Sequence, residues 1–369
     1  MLTVLDIGRI IESWAPREIA WERDNIGLQV GNPGARVRAI LVCLEVHKAV
    51  VQEARHKRAN LIVSHHPLIF RPLNAVATNG TTGRITENLL KAGINLYSAH
   101  TNLDFTRGGT SFALGQALKL QEIEFLVSPY EVERKVVTFV PAEHVDRVAG
   151  AMAAAGAGVI GKYEHCSFRI NGTGTFRGNE FTHPTVGTKG NLERVPEVRL
   201  EMGARSWQVN AIVAAMKKSH PYEEVAYDVY PVENKSNDYG MGIIGSLVRP
   251  MQLKSFLATI KRKLNVPALR YTGEPGQTVR RVAACGGGGS DLIDEAIKRG
   301  ADVFITADIK YHSFHDAEGR IALVDAGHYE TENPVVPAVS ARLRQEIRKI
   351  GQNIPVYRTR TSTNPLRYE

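Results

Sequence analysis

Three short apolar segments of the chain each end at side chains that can bind metal ions. Segments 59–64, 93–99 and 321–326 are rich in aliphatic residues, which predicts buried strands. The residues that follow these segments are His65 and His66, His100 and Asp104, and His328 and Glu332. Several strand ends could therefore direct imidazoles and carboxylates into one pocket, as in enzyme metal sites. Each residue alone also fits an ordinary hydrogen-bonded role, so the prediction depends on their joint occurrence.

The spacing of these residues predicts two metal ions. Pro67 ends the first strand and favours an extended backbone at His66. Successive side chains of an extended chain point to opposite sides, so His65 and His66 reach different ions more easily than one ion. If a helical turn begins at His328, Glu332 lies on the same face and could bridge two ions. The predicted ligands are His65, His66, Asp104, His328 and Glu332. Five ligands leave open positions on two ions, which favours chemistry over a structural role.

Length and composition narrow the class of protein. A chain of 369 residues suits two or three domains, and its 43% hydrophobic and 23% charged content is ordinary for a globular protein. No segment is long and apolar enough to span a membrane, and the N-terminus lacks the features of a signal peptide, so we expect a cytoplasmic protein. Cys43, Cys166 and Cys285 have no C-x-x-C spacing, which argues against a disulfide framework and a thiolate zinc site.

The net charge of +8 favours anionic partners, including phosphorylated small molecules and nucleic acids. The basic residues are dispersed, however, and the short clusters at 217–218, 261–263 and 342–344 are typical of solvated helix faces. They are not interleaved with aromatic residues. Specific nucleic-acid binding is therefore not expected, whereas a small-molecule nucleotide is a plausible substrate.

The predicted elements divide the chain into three segments. Residues 1–128 alternate helix and strand, which predicts the first half of a layered α/β metal-binding domain. Residues 129–236 have the order βαββαβ of a ferredoxin-like module, with a strand at 163–170 and a polar loop at 171–191. Alternating α/β structure returns in residues 237–369, the predicted second half of that domain. Because ligands occur in both outer segments, we expect one metal-binding domain that is interrupted by an insert.

A glycine run at 286–289 lies between a predicted strand at 280–285 and a predicted helix. Free N–H groups there could bind a phosphate or an oxyanion. The alternative is a turn that lets the backbone approach the metal pocket. The run has neither the ending of a P-loop nor the spacing of a dinucleotide fingerprint.

Three further polar residues are candidate catalytic groups. Asp308 follows another predicted strand and could orient a metal-bound histidine, or it could cap a helix. His312 could carry protons near neutral pH or be a surface residue, and His100 could also move protons. His220 to Glu224 offer possible ligands too, but their position before a strand suits a structural turn better.

Four motifs together resemble the NIF-three-like family, whose bacterial members are named GTP cyclohydrolase I type 2 homologues. These are DNIGLQVG at 24–31, SHHPLIF at 64–70, AHTNLD at 99–104 and GHYETE at 327–332. A fifth motif, HPYEEVAYD at 220–228, resembles the signature of the inserted module in longer members, which is similar to PII and CutA folds. The resemblance covers nearly the whole chain.

The resemblance implies a dinuclear divalent-metal centre in which all five predicted ligands take part and Glu332 is the bridge. It also implies a toroidal homohexamer whose sites face an internal cavity. Glu45 stands where an Asp of the family is expected. The mixed nitrogen and oxygen ligands admit Zn, Fe, Mn, Co or Ni.

We therefore expect a metal-dependent hydrolase that acts on a nucleotide, with GTP ring opening as the specific candidate. One alternative is a non-enzymatic metal-binding regulator or metal carrier, in which the insert senses a ligand or partner. Another is a broad metal-dependent phosphoesterase, which different products would distinguish.

Overall fold

The computed structural model describes residues 1–129, 132–183 and 185–369. They form a mixed α/β structure, which confirms the predicted fold class at this level. By its contacts the chain divides into two compact units, one of residues 1–128 with 237–369 and one of residues 129–236. No helix within the described ranges is both long and apolar enough to cross a membrane.

The strands of the first unit are β1 (Gly27–Val30), β2 (Ile40–Cys43), β3 (Leu61–Ser64), β4 (Asn95–Ser98), β5 (Gln121–Val127), β10 (Met241–Gln252), β11 (Arg270–Tyr271), β12 (Thr278–Gly288), β13 (Val303–Ala307), β14 (Ala322–Asp325) and β15 (Val356–Arg358). Its helices are α1 (Val4–Trp14), α2 (Lys48–His56), α3 (Thr81–Lys91), α4 (Thr101–Asp104), α5 (Thr110–Ala117), α8 (Leu253–Leu264), α9 (Ile293–Lys298), α10 (Tyr311–Ala317), α11 (His328–Glu332) and α12 (Val335–Lys349). The second unit contains β6 (Glu133–Pro141), α6 (Val145–Ala154), β7 (Phe168–Phe176), β8 (Glu193–Arg205), α7 (Val209–Ser219) and β9 (Tyr227–Pro231).

Two sheets form the frame of the first unit. The first sheet has the order β1-β4-β3-β2-β15, in which only the edge pair β1 and β4 is antiparallel. The second has the order β11-β14-β13-β12-β10-β5, with the parallel strands β12, β13 and β14 side by side. Because the chain crosses over between parallel strands, their carboxyl ends lie at one edge of each sheet. The residues that follow β3 and β4 lie at this edge of the first sheet, and those that follow β14 lie at this edge of the second.

Helices cover both faces of the first sheet. Ile7 on α1 and Leu343 on α12 pack with Ile40 of β2 on one face. On the other face, Val50 of α2 and Leu89 of α3 belong to a second core cluster. Strands that are buried on both sides read as continuous apolar runs, which is why the short strands of this sheet are visible in the sequence.

The second unit is a sheet of order β7-β8-β6-β9 in which every neighbouring pair is antiparallel. The predicted strand at 163–170 is misplaced, because β7 begins at Phe168 and continues to Phe176 in the segment predicted as loop. Its side chains are mostly exposed, so no apolar alternation marks it in the sequence. Pairing with β8 along its whole length stabilises it instead.

Candidate metal centre

The ends of three strands and the two short helices α4 and α11 form the candidate site. β3 and β4 are parallel neighbours with Ser64 opposite Ser98, and the hydroxyls of these residues lie 2.8 Å apart. His65 therefore follows β3 at the level of Ala99, the residue that precedes His100 and α4. The turn after β14 ends at Gly327, whose φ of +79° favours glycine, and α11 begins at the next residue.

The structure brings all five predicted ligands together. Nε2 of His65 lies 3.4 Å from Asp104 Oδ1 and 3.9 Å from Glu332 Oε1. Nε2 of His66 lies 2.9 Å from Glu332 Oε2, and Nε2 of His328 lies 3.1 Å from Glu332 Oε1. Glu332 thus contacts the three imidazoles, and its two oxygens face different histidines. The contact with His328 arises because Glu332 lies four positions after it, on the same face of α11.

The buried atoms of this cluster fit a cation. His65 is 2% exposed and Glu332 is 4% exposed. Among the described residues, His65 Nε2 and Asp104 Oδ1 are buried without a hydrogen-bond partner. Glu332 Oε2 is also buried and makes no well-aligned hydrogen bond, although His66 Nε2 lies 2.9 Å away. Leaving a buried polar atom unpaired costs about 1–3 kcal/mol, so this group of atoms in one place needs an explanation. Imidazole nitrogens beside carboxylate oxygens are the donors that a divalent ion such as zinc accepts, and these residues could bind a metal.

His100 lies closer to the ligands than its predicted proton-transfer role requires. Potential ligand atoms of His65, His66 and His100 all lie within 4.8 Å of one another. The same holds for His66, His328 and Glu332. Because His66 belongs to both groups, the two groups are adjacent.

Each of the four histidines has one ring nitrogen held from outside the cluster. In each pair the Nδ1 atom makes the contact, and the partners are the Ala99 carbonyl for His65 (2.9 Å), Glu45 for His66 (3.1 Å), Asp24 for His100 (2.9 Å) and Asp308 for His328 (2.6 Å). Metal-binding histidines nearly always have such a partner, because it fixes the tautomer and the ring orientation. The arrangement leaves each Nε2 available for the inside of the cluster.

The negative charge of Glu332 governs the protonation of two imidazoles. Its hydrogen bond with His328 raises the pKa of that imidazole to about 9. Burial opposes this rise, whereas the charge of Glu332 and the contact with Asp308 add to it. Burial lowers the pKa of His66, but Glu332 and Glu45 more than offset it and raise that pKa to about 10. Burial also opposes the charge of Glu332, yet His328 and His66 hold its pKa well below the ordinary value. Positive charge is therefore favoured at this point, as protons or as a metal ion.

Burial has the larger effect on the other side of the cluster. It lowers the pKa of His65 to about 3, so that this imidazole is neutral, the form that binds metal. Burial and then repulsion from Glu332 raise the pKa of Asp104 to about 7. A nearby cation would favour the charged form of Asp104.

Two sequence predictions concerned the residues after β13. Asp308 does not cap the following helix, because the N-cap of α10 is Lys310 and no side chain caps that end. The carboxylate instead contacts His328. His312 is exposed on α10, where its ring lies 5.6 Å from that of Tyr311. Among the described contacts, none joins His312 to the five clustered side chains.

The glycine run at 286–289 is not a loop with free N–H groups for a phosphate, which was one of the two interpretations of the sequence. β12 continues through Gly288, and the N–H groups of Gly286 and Gly287 already donate to the hydroxyls of Ser111 and Thr331, at 3.3 and 3.0 Å. Gly287 has a φ of +65°, and a Cβ there would lie 2.2 Å from Glu332 Oε1. The glycine therefore lets the backbone approach the candidate site.

Sequence reasoning missed the role of Asp24 and left that of Glu45 open. The Asp24 carboxylate accepts hydrogen bonds from the Thr101 backbone and from the Thr101 hydroxyl, in addition to its contact with His100. A single carboxylate in a loop has no spacing signal of its own, and only its place in the DNIGLQVG motif marks it. Glu45, despite being longer than the expected Asp, reaches His66.

Comparisons with known proteins agree with this architecture. A family model described as Duf34/NIF3 (NGG1p interacting factor 3) matches residues 2–365. Proteins named GTP cyclohydrolase 1 type 2 homolog from Halalkalibacterium halodurans and Bacillus subtilis are 39% and 40% identical over 364 residues, which cover 98% of this chain and 97% of each relative.

Solved structures extend the similarity to three dimensions. A Bacillus cereus protein related to NIF3 superposes with a TM-score of 0.85 at 40% identity, covering 100% of this chain and 99% of that one. The Staphylococcus aureus protein SA1388 gives a TM-score of 0.82 at 31% identity, with the same coverage. The resemblance that the motifs suggested is confirmed, and over nearly its full length the chain belongs to the Duf34/NIF3 family.

Proposed function

We propose that the five clustered side chains hold two divalent metal ions, with Glu332 shared between them. The observation that carries this proposal is that His65 Nε2 and Asp104 Oδ1 are buried without hydrogen-bond partners beside the buried carboxylate of Glu332. The two oxygens of Glu332 face different imidazoles, as a bridging carboxylate requires. The outer contact that holds each histidine supports a ligand role further. Mixed nitrogen and oxygen donors are compatible with Zn, Fe, Mn, Co or Ni.

We further propose that the centre hydrolyses a nucleotide, with GTP ring opening as the specific reaction. The support is the name GTP cyclohydrolase 1 type 2 homolog that relatives at 39% and 40% identity carry. When bound, divalent ions activate water and stabilise developing negative charge. His100 would transfer protons during the reaction through its Nε2 atom, because its Nδ1 atom is held by Asp24. Asp308 would fix the orientation of the His328 imidazole. His312, which is exposed, is proposed as a proton carrier at the surface.

Metal content and product identity test both parts of the proposal. Elemental analysis of untagged protein should find two divalent ions per chain, and metal-loaded protein should release formate from GTP. Replacing Glu332 by Ala should abolish both, whereas replacing Glu318, a carboxylate whose side chain is 75% exposed, by Ala should change neither. Formate release that survives Glu332→Ala would remove the mechanism. Phosphate release without formate would favour a phosphoesterase, and metal binding without turnover of any nucleotide would favour a regulator or metal carrier.

We infer a separate ligand-sensing role for the second unit, as a ferredoxin-like insert of the PII/CutA type. Its βαββαβ element order and the strand order β7-β8-β6-β9 support that classification. The unit also contains a cavity of about 630 Å³, whose lining includes Phe139, Phe176, Tyr222, Glu197 and Arg199. That volume lies within the range of small-molecule sites.

Thermal shifts of the full-length protein with a metabolite panel test this role. A ligand of the cavity should raise the melting temperature of the wild type but not that of Arg199→Ala. Arg169→Ala is the matched control, since Arg169 pairs with Asp146 and does not line the cavity. A ligand that stabilises both variants equally would contradict the assignment.

The homohexamer that the family resemblance implies is also a proposal. Light scattering coupled to size-exclusion chromatography would measure the oligomeric state.

A further inference from the structure

Residues 359–364, which follow β15, run from the first sheet to the candidate metal centre. β15 is parallel to β2, so these residues leave the sheet at the same end as those that follow β2. Glu53 on α2 anchors their start, because its carboxylate accepts hydrogen bonds from the hydroxyls of Thr359 and Thr361, at 2.6 and 2.9 Å. The segment is thereby directed toward Glu45.

Thr363 contacts the carboxylate that holds His66. Its hydroxyl donates a hydrogen bond to Glu45 Oε2, while Glu45 Oε1 lies 3.1 Å from His66 Nδ1. The opposite ring atom, His66 Nε2, is directed at Glu332. Thr363 is only 9% exposed, so water competes little for the hydroxyl. The hydroxyl therefore favours the conformation of Glu45 that faces the imidazole.

Asn364 contacts α11, the helix that carries two of the other proposed ligands. Its Nδ2 donates to Glu330 Oε1 at 2.8 Å, and Glu330 is buried in α11 between His328 and Glu332. Residues 363 and 364 are consecutive, so one short stretch of backbone joins the carboxylate behind His66 to the helix of His328. These two ligands come from distant parts of the sequence.

We propose that residues 359–364 form a positioning strap for the metal centre. Thr363, acting through Glu45, sets the orientation of the His66 imidazole, and Asn364, acting through Glu330, fixes α11. The proposal rests on the metal-binding function proposed above. Partners one shell beyond a metal ligand typically change metal affinity about 10–100-fold when they are removed, which sets the expected size of the effect.

Cobalt titration of the full-length protein, stripped of metal with a chelator, tests the strap. Thr363→Val keeps the side-chain shape and removes the hydroxyl, and Thr363→Ser keeps the hydroxyl. Thr363→Val should weaken one Co²⁺ binding step about 10-fold and shift the visible absorption of the bound cobalt, which reports ligand geometry. Thr363→Ser should retain the wild-type affinity and spectrum. Circular dichroism establishes that each variant is folded.

Glu45→Ala provides a second, independent route. If Thr363 acts through Glu45, the double variant Glu45→Ala/Thr363→Val should bind Co²⁺ no more weakly than Glu45→Ala alone, because coupled residues are not additive. A purely structural role for Thr363 would instead give two effects that add. Glu45→Ala also measures the contribution of the carboxylate if Thr363→Val does not fold, and wild-type affinity in that variant would overturn the proposal.

The outcomes separate the strap from the metal centre. If the wild type takes up Co²⁺ and folded Thr363→Val has the same affinity and spectrum, the strap proposal is wrong and the metal centre stands. Additive losses in the double variant would also overturn the strap. If the wild type takes up no Co²⁺, the proposed metal centre is wrong, and the strap falls with it.

Discussion

Asp308 Oδ2 lies 2.6 Å from the Nδ1 atom of His328, whose Nε2 atom lies 3.1 Å from Glu332. Asp308 has a φ of +56°, in the left-handed region that few residues other than glycine adopt. This conformation after β13 aims the carboxylate at the imidazole instead of at the N-terminus of α10. The left-handed conformation of Asp308 is thus not explained by capping of α10. Unusual backbone conformations of this kind are common at functional sites.

We predict that Asp308→Ala weakens divalent-metal affinity about 10–100-fold, because the His328 imidazole loses the partner that fixes its orientation. Asp308→Asn should have a smaller effect, since an amide oxygen still accepts from Nδ1 and Asn tolerates the left-handed conformation. Competition with a chromophoric chelator measures the affinity. Asp316→Ala, at an exposed position of α10, is the control. Equal affinity of Asp308→Ala and the wild type would show that the contact does not serve metal binding.

Gly287 offers a test that leaves every proposed ligand unchanged. A methyl group at this position would lie 2.2 Å from Glu332 Oε1 and 3.2 Å from His328 Nε2, and φ is +65°. Gly287→Ala should therefore displace the Glu332 carboxylate, and we expect it to remove at least one metal ion per chain, as measured by elemental analysis. The left-handed backbone adds a destabilisation of about 1–2 kcal/mol.

The matched control for that variant is Gly276→Ala. A Cβ at Gly276 meets no atom within 4 Å. This substitution should leave both metal content and melting temperature close to those of the wild type. Full metal content in Gly287→Ala would mean that Glu332 is not a ligand in the position that the structure gives it.

The ligand cluster was predictable from the sequence because its residues follow strands that are buried on both faces. β3 and β14 consist of consecutive buried residues, so their ends are visible as the points where apolar runs stop. The chemistry of His65, His66 and Glu332 then indicates metal. Strand order within each sheet was not needed for the prediction, since parallel strands end at one edge of their sheet. The sequence does not show why the end of β14 meets those of β3 and β4, because these strands belong to different sheets.

The outer partners were not predictable in the same way. Glu45 and His66 are 21 residues apart, and Asp24 and His100 are 76 apart, so no local period connects them. From its composition the glycine run indicates a turn or loop, because glycine is rare in strands. In the structure β12 continues through Gly288, and hydroxyls of neighbouring elements pair with the run. Both the partners of these histidines and the conformation of the glycine run depend on tertiary contacts, which a local sequence pattern does not show.

Asp24 should contribute to stability as well as to the orientation of His100. Its side chain is 1% exposed and accepts hydrogen bonds from His100 and from two groups of Thr101. We expect Asp24→Ala to lower the free energy of unfolding by about 1–3 kcal/mol, because it leaves buried donors unpaired. Urea denaturation measures the change, with the exposed Glu22→Ala as control. Equal midpoints for the two variants would contradict the expectation.

Glu53 makes the stability of the first unit dependent on pH. Burial favours protonation of Glu53, but hydrogen bonds from Thr359, Arg360 and Thr361 outweigh it and lower the pKa below its ordinary 4.5. A carboxyl group whose pKa is lower in the folded state stabilises fully above the unfolded value and loses that effect as pH falls through the folded one. We therefore expect Glu53→Gln to reduce the free energy of unfolding by about 1–3 kcal/mol near neutral pH, and by less in acid below the ordinary pKa. Urea denaturation at both pH values measures this difference in the free energy of unfolding between the variant and the wild type. Glu318→Gln, at an exposed position, is the control and should give the same difference at both pH values. If Glu53→Gln also gives a constant difference, the Glu53 carboxylate is not the titrating group.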